Sequence, residues 1–183
     1  MWRRTIRAYR LLTGLMLLAL IGACGGEPPP RVTLTRPTPT ARSSVTLQGA
    51  TVVNVFDADS IEMRFDDGRQ LHVQLLGIDA PDAGKPERGH ANEFVRSRLA
   101  KGKRVYLEQG PQMWDELGRF LALVWLKRPS KGTLRETTTT MLNALMLVAG
   151  YADVEAEDQN PKYGTLFRQL EQSAKRARKG IWA

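Results

Sequence analysis

Two pairs of aspartates, Asp57/Asp59 and Asp79/Asp82, stand at the ends of one stretch, D-A-D-S-I-E-M-R-F-D-D-G-R-Q-L-H-V-Q-L-L-G-I-D-A-P-D, residues 57–82. Ionised carboxylates only accept hydrogen bonds, so grouped in this way they favour a hard cation. Between the pairs, Ile61, Met63 and Phe65 alternate with polar residues, as do Leu71, Val73 and Leu75, which is the pattern of two half-buried strands joined in a hairpin. For both apolar sets to share one face, 61 must pair with 73, 63 with 71 and 65 with 69. That register leaves Asp66-Asp67-Gly68 as a three-residue loop with Gly where a left-handed bulge residue is wanted. It also brings Asp59, at the start of the first strand, beside Asp79, just past the end of the second. Paired hard oxygens, with a Pro-stiffened Ala80-Pro81 turn offering a carbonyl, suit one Ca²⁺ better than softer metals. Aspartates are also common at strand ends and in turns for purely conformational reasons, so the spacing alone leaves a plain turn as the other reading.

The elements that must hold these residues follow from periodicity. A strand is predicted over Leu47–Phe56, ahead of the hairpin. A helix over Glu87–Ala100 puts Ala91, Phe94, Val95 and Leu99 on one face, with Gly102 placed to end it. Lys103–Glu108 and Arg119–Leu126 read as two further strands, with Leu121, Leu123 and Trp125 or their neighbours divided between core and surface. Helices are predicted over Met141–Ala149, stopped by Gly150, and over Pro161–Lys179. Five strands and three α-helices in this order describe a mainly β, α+β domain, a five-stranded Greek-key barrel of OB type.

Residues 1–24 read as an export signal rather than as part of the fold. Arg3, Arg4, Arg7 and Arg10 precede an apolar run, Leu11–Ile21, too short to span a bilayer as a mature helix. Ile21-Gly22-Ala23-Cys24 has the form of a bacterial lipobox, so Cys24 is expected to be acylated and to hold the protein on a membrane, facing out of the cytoplasm. An ordinary signal would instead release it. Residues 25–46 are rich in Pro and Thr and predict a semi-extended tether, leaving 47–183 as the folded domain. The whole chain carries 27 basic and 19 acidic side chains, a net charge of +8. Removing the four leader arginines leaves 23 basic side chains against 19 acidic and a net charge of +4, a weaker argument for a polyanionic partner than the intact sequence suggests. A single cysteine excludes an internal disulfide, so stability must come from the core.

Four segments, Asp57-Ala58-Asp59-Ser60, Leu75-Leu76-Gly77-Ile78-Asp79-Ala80-Pro81-Asp82, Asp115-Glu116-Leu117-Gly118-Arg119 and Gly180-Ile181-Trp182, resemble the staphylococcal nuclease (thermonuclease) family in order and spacing, over roughly residues 47–183. The resemblance implies a barrel of the kind just described. It also implies one Ca²⁺ held by Asp59, Asp79 and the Ala80 carbonyl, Asp82 as general base, and Arg119 gripping the phosphate of a single-stranded or frayed nucleic acid. The expected form is a monomer.

The chain departs from the family at defined positions. Gln74 stands where the family has a second arginine, Asp82 where it has glutamate, and Ala58 where it has glycine. Glu116 and Leu117 replace a frequent Lys and Tyr, and Glu155, Glu157 and Asp158 form an acidic stretch near where bases would rest. Lys85 and Arg88 are the candidates to supply the missing charge. His72 shares the outer face with Gln74 and reads as a solvated strand histidine. His90 falls in the first turn of a helix, and Lys175, Arg176, Arg178 and Lys179 suit a solvated helix end. The expectation is a Ca²⁺-dependent nuclease with a weakened site. The alternative is a catalytically silent barrel that binds a polyanion, a peptide or an envelope partner.

Overall fold

A computed structural model of the chain describes residues 47–155 and 162–183. The leader, Cys24 and the tether lie outside the described residues, as do Glu157 and Asp158. In chain order the elements are β1 (Leu47–Asp57), β2 (Ser60–Phe65), β3 (Gln70–Leu75), β4 (Ile78–Asp79), α1 (Arg88–Arg98), β5 (Arg104–Trp114), β6 (Phe120–Trp125), α2 (Leu134–Thr140), α3 (Leu142–Ala149), β7 (Asp153–Val154) and α4 (Gly164–Arg176), followed by a 3-10 turn at Gly180–Trp182.

Five strands close into a barrel in the order β1-β2-β3-β6-β5, with β1 returning to pair with β5. All pairs are antiparallel except β3 with β6, which run parallel. The β2–β3 hairpin has the register required by its alternation: Ile61 lies opposite Val73 and Met63 opposite Leu71. Phe65 N–H donates to the Arg69 carbonyl at 2.8 Å, and Gly68 takes the left-handed conformation, φ 89°. Ile61, Met63, Phe65, Val73 and Leu75 consequently all face the core. Irregularities in β1 between Val52 and Asn54, and between Val55 and Asp57, bend this long strand so that it serves both neighbours.

Several expectations need correction. There are four described α-helices rather than three. The added one, α2, grows from Thr133, whose Oγ1 accepts from Glu136 N–H at 3.2 Å. Within it Thr138, Thr139 and Thr140 donate back to the carbonyls of the preceding turn, so a threonine run that reads as loop or strand is helical. Helix α1 ends at Arg98 with Leu99 as its cap, and Gly102, φ 84°, serves the following turn into β5 instead. Residues Phe120 to Trp125 of β6 are all buried, not divided between faces, because α3 covers the strand's outer side. The pair β4–β7, two residues each, was not foreseen.

Two buried polar side chains fix the helices to the barrel. Asn143, fully buried on α3, accepts from Val124 N–H at 2.9 Å and donates to the Leu76 carbonyl at 3.0 Å. Glu108 of β5, 4% exposed, accepts from Trp125 Nε1 at 3.1 Å, Lys162 Nζ at 2.5 Å and Tyr163 Oη at 3.4 Å, anchoring the start of α4. The end of the chain docks through Gly150 and Gly180, both left-handed. Ile181 N–H donates to the Gly150 carbonyl at 2.8 Å, and a Cβ on Gly180 would lie 2.1 Å from that same oxygen. Only glycine fits that approach.

Candidate active site

The tight β1–β2 turn consists of Ala58 and Asp59, since Asp57 lies opposite Ser60. Ala58 is fully buried and its φ is not positive, so the alanine fits where a glycine was expected. The Asp59 carbonyl accepts from Leu75 N–H at 2.8 Å, which fixes the turn against the end of β3. Asp59 Oδ2 in turn accepts from Ala80 N–H at 3.2 Å. Beyond β3, Gly77 at φ 75° redirects the chain into β4, and Asp79 ends that strand with Ala80-Pro81-Asp82 immediately after. The carbonyl of Leu76, one residue before this bend, is the one held by Asn143, so α3 sets the direction in which Asp79 and Asp82 leave the barrel.

Burial pushes Asp59 above the usual carboxylate range, and the charge of Asp57 adds to it. Asp79 is also raised, first by desolvation and then by the carboxylates of Asp59, Asp82 and Asp153. Burial and neighbouring negative charge both disfavour ionisation here. Asp57 behaves oppositely. Partial burial works against its ionisation, but Arg88 and the Ala58 N–H together hold it below the usual range. Arg88 Nε lies 3.2 and 3.0 Å from the two oxygens of Asp57, and its Nη2 also pairs with Oδ2. Arg88, one of the two candidates to replace the missing arginine, is thus committed to Asp57. Lys85 instead lines a cleft of about 370 Å³ with Asp79, Ala80, Pro81, Asp82, Asp153 and Trp182.

Arg119 stands just before β6. Its Nε donates to Asp115 Oδ2 at 2.6 Å and its backbone N–H to Asp115 Oδ1 at 2.8 Å, so the Asp115–Arg119 turn fixes the start of the side chain. Its Nη1 donates to Gln74 Oε1 at 2.7 Å, near the end of β3. Ser60, opposite Gln74, contacts His72 Nε2, and His72 packs on the exposed Phe56 ring at 5.1 Å. The histidine is exposed on β3, as read from the sequence, and also touches these two neighbours. His90 lies in the first turn of α1, as expected.

Asp59 and Asp79 carry donors of the kind a hard cation takes, and Asp79 lies near enough to Asp59 for that charge to raise its pKa. Among the described residues no group of three or more His, Cys, Asp or Glu side chains is placed to hold a metal ion, so only the chemistry of this two-carboxylate set fits one. Sequence reasoning missed Asp153, which lies opposite Asp79 across β4–β7 and is itself raised by burial and by Glu171. Its only signal was one acid in a short, half-polar segment. It also missed Asn143, a lone amide in the apolar run M-L-N-A-L-M-L-V-A, which could have been marked as a polar residue needing partners.

A family model described as staphylococcal nuclease homologue matches residues 72–183. The thermonuclease of Staphylococcus hyicus is 30% identical over 138 residues, covering 72% of this chain and 74% of the relative. That of Staphylococcus intermedius is 30% identical over 152 residues, covering 79% and 83%. The protein named Probable endonuclease LCL3 of Schizophyllum commune is 34% identical over 124 residues, covering 62% of this chain and 40% of its own. With the closed barrel, the acidic turns and these matches together, the chain belongs to the family of staphylococcal nuclease homologues.

Proposed function

We propose that this domain is a nuclease that hydrolyses phosphodiester bonds of single-stranded or frayed DNA or RNA in a Ca²⁺-dependent manner. The observation that carries the reading is the Arg119 guanidinium held on Gln74 Oε1 near the end of β3, where the neighbouring Leu75 N–H fixes the Asp59 turn. The relatives named thermonuclease and endonuclease support the reaction class.

Asp59, Asp79 and the Ala80 carbonyl would hold the ion, which when bound supplies positive charge to a phosphoryl oxygen. Asp82 stands in the same acidic group and takes a proton from the attacking water. The water oxygen bonds to phosphorus, the ester oxygen leaves with its bonding pair, and a second proton transfer neutralises it. Arg119, with Nε on Asp115 and one Nη1 contact on Gln74, keeps its Nη2 for a phosphate oxygen and offsets the charge that builds there.

The site is weakened relative to its family. Replacing one charge donor by a neutral amide at Gln74 costs on the order of 10²–10³ in rate. The shorter Asp82 costs about 10² more if it displaces the base by ~1 Å. Because enzymes lower barriers by about 8–23 kcal/mol, a deficit of roughly 6–7 kcal/mol leaves measurable turnover. Acylation at Cys24 would place the domain on the outer side of a membrane, tethered by residues 25–46. Among the described residues no helix is long and apolar enough to cross one.

The test is degradation of heat-denatured DNA by the purified chain at high loading, with Ca²⁺ and with a chelator. Cleavage confined to the Ca²⁺ sample is expected. No cleavage would leave a silent barrel, and a Ca²⁺-raised melting temperature without cleavage would leave a structural ion.

A further inference from the structure

We propose that Phe56 and His72 form a stacking subsite for a nucleobase, which holds the nucleotide next to the phosphate gripped by Arg119. The inference rests on the nuclease reading and deepens it by naming where a single strand lies.

One exposed ring is ordinary on a protein surface, and what distinguishes Phe56 is its placement. In β1, Val55 lies opposite Ile61 and Asp57 opposite Ser60, so the strand carries one residue more than β2 here and Phe56 is left without a ladder partner. A bulge of this kind takes a side chain out of the regular alternation and aims it anew. Phe56, 47% exposed, reaches over β2 to the exposed His72 of β3, with ring centroids 5.1 Å apart. The rings meet at 57°, so neither covers the other face to face. Ser60 Oγ, in a buried residue, hydrogen-bonds His72 Nε2 and fixes the imidazole. A platform held before binding loses little freedom when a base settles on it.

The same outer face leads to the phosphate site. Ser60 lies opposite Gln74, whose Oε1 accepts from Arg119 Nη1 at 2.7 Å. His72 stands two residues before Gln74, about 7 Å along the strand, the scale of one nucleotide in an extended single strand. Two neighbouring carboxylates are engaged elsewhere. Glu62, opposite His72, accepts from Gln70 Nε2 at 2.7 Å on the side away from Gln74, and Asp57 is paired with Arg88. Every base has a π-face, so aromatic stacking suits a strand bound without sequence preference. In the Asp115–Arg119 turn the exposed Leu117 offers no ring, and Trp114 is packed edgewise on Phe120 on the β5–β6 side.

The test is the affinity of the purified chain for a fluorescein-labelled single-stranded oligothymidine, read by anisotropy in chelator, together with single-turnover cleavage in Ca²⁺. Phe56→Ala should weaken binding by about 5–150-fold, the contribution of one stacked base. The half-saturating concentration for cleavage should rise by a similar factor while the maximal rate changes less. Phe56→Trp should keep the affinity, whereas Phe56→Leu, apolar without a π-face, should lose it. If Phe56→Ala does not fold, His72→Ala carries the same expectation. With an oligonucleotide in which one abasic residue is moved position by position, wild type and Phe56→Ala should bind alike at one position, where the base that stacks is missing.

Unchanged affinity in both Phe56→Ala and His72→Ala, a Phe56→Leu variant as tight as wild type, or a loss confined to Trp114→Ala would overturn the subsite while leaving the nuclease intact. Binding that Phe56→Ala removes, in a wild type that never cleaves, would keep the subsite and remove the nuclease. A folded wild type that neither binds the oligonucleotide nor cleaves it would remove both proposals together.

Discussion

Asp79 lies directly opposite Asp153 in the two-residue β4–β7 ladder, so two carboxylates occupy facing positions at the edge of the acidic turns. Like charges placed in this way destabilise a sheet pair by up to about 1 kcal/mol. Both groups have raised folded pKa values, Asp79 from desolvation and three neighbouring carboxylates, Asp153 from burial and Glu171. Raised values mean that the folded state holds these protons more tightly than the unfolded chain. The penalty is absent below the ordinary carboxylate range and grows as pH rises through the folded values. Asp153→Asn should therefore stabilise the Ca²⁺-free domain by roughly 0.2–1 kcal/mol at pH 7, with the gain fading toward pH 4. Urea unfolding at the two pH values measures it, and a loss of stability at pH 7 would contradict the pairing.

The Asp57–Arg88 pair has the opposite sign. Burial disfavours the Asp57 charge, but Arg88 and Ala58 outweigh it and hold the folded pKa down. Its contribution is present above the ordinary carboxylate range and is lost as pH falls through the lowered value. Because both side chains are partly solvated, Arg88→Ala should cost only about 1 kcal/mol at pH 7. In an acid titration of Tm the wild type and variant should converge at the low end. A difference that persists would show that Arg88 acts through helix packing.

A cation held as proposed by Asp59 and Asp79 would relieve the repulsion between them. At 100 times its Kd, Ca²⁺ should add about 2.7 kcal/mol of stability to the wild type. Asp79→Asn should be no less stable than wild type without Ca²⁺ and should lose most of the Ca²⁺ response. Differential scanning calorimetry with and without Ca²⁺ reads both effects, and an undiminished response in the variant would place the ion elsewhere.

Asn143 ties α3 to Leu76, the residue before the bend that leads to Asp79. Asn143→Leu removes the donor to Leu76 and the acceptor for Val124 N–H, leaving two buried backbone groups unpaired. The cost should be about 2–4 kcal/mol. Since Leu76 precedes the Gly77 bend, Ca²⁺ affinity should fall as well in the folded fraction. Denaturant unfolding with Ca²⁺ calorimetry separates the two, and a loss of stability with unchanged affinity would confine Asn143 to the core.

The parts of the fold legible in sequence are those set by local periodicity. The pairing of Ile61 with Val73 and the left-handed Gly68 follow from alternation and loop length alone, and they already place the Asp59 turn against the end of β3. The parts that were not legible depend on distant partners. Threonines 138–140 give no helical period, and their place in α2 shows only in the hydroxyls that bond back along it. The outer side of β6 looks exposed until Asn143 brings α3 over it. Asp153 joins Asp79 from 74 positions away through a strand of two residues, too short to leave a period. Gln74 could be read as a departure from its family, but that its amide accepts from Arg119 depends on where both lie in space.

The most direct test is the rate at which a 5′-labelled single-stranded oligonucleotide is cut by the folded domain and by Asp59→Ala, in saturating Ca²⁺ and in chelator. Wild type should cleave only with Ca²⁺, and Asp59→Ala should be slower by at least about 10², the scale of one lost electrostatic group in an active site. Equal rates for the two proteins, or no cleavage by a Ca²⁺-saturated wild type, would contradict a phosphodiesterase built on these aspartates.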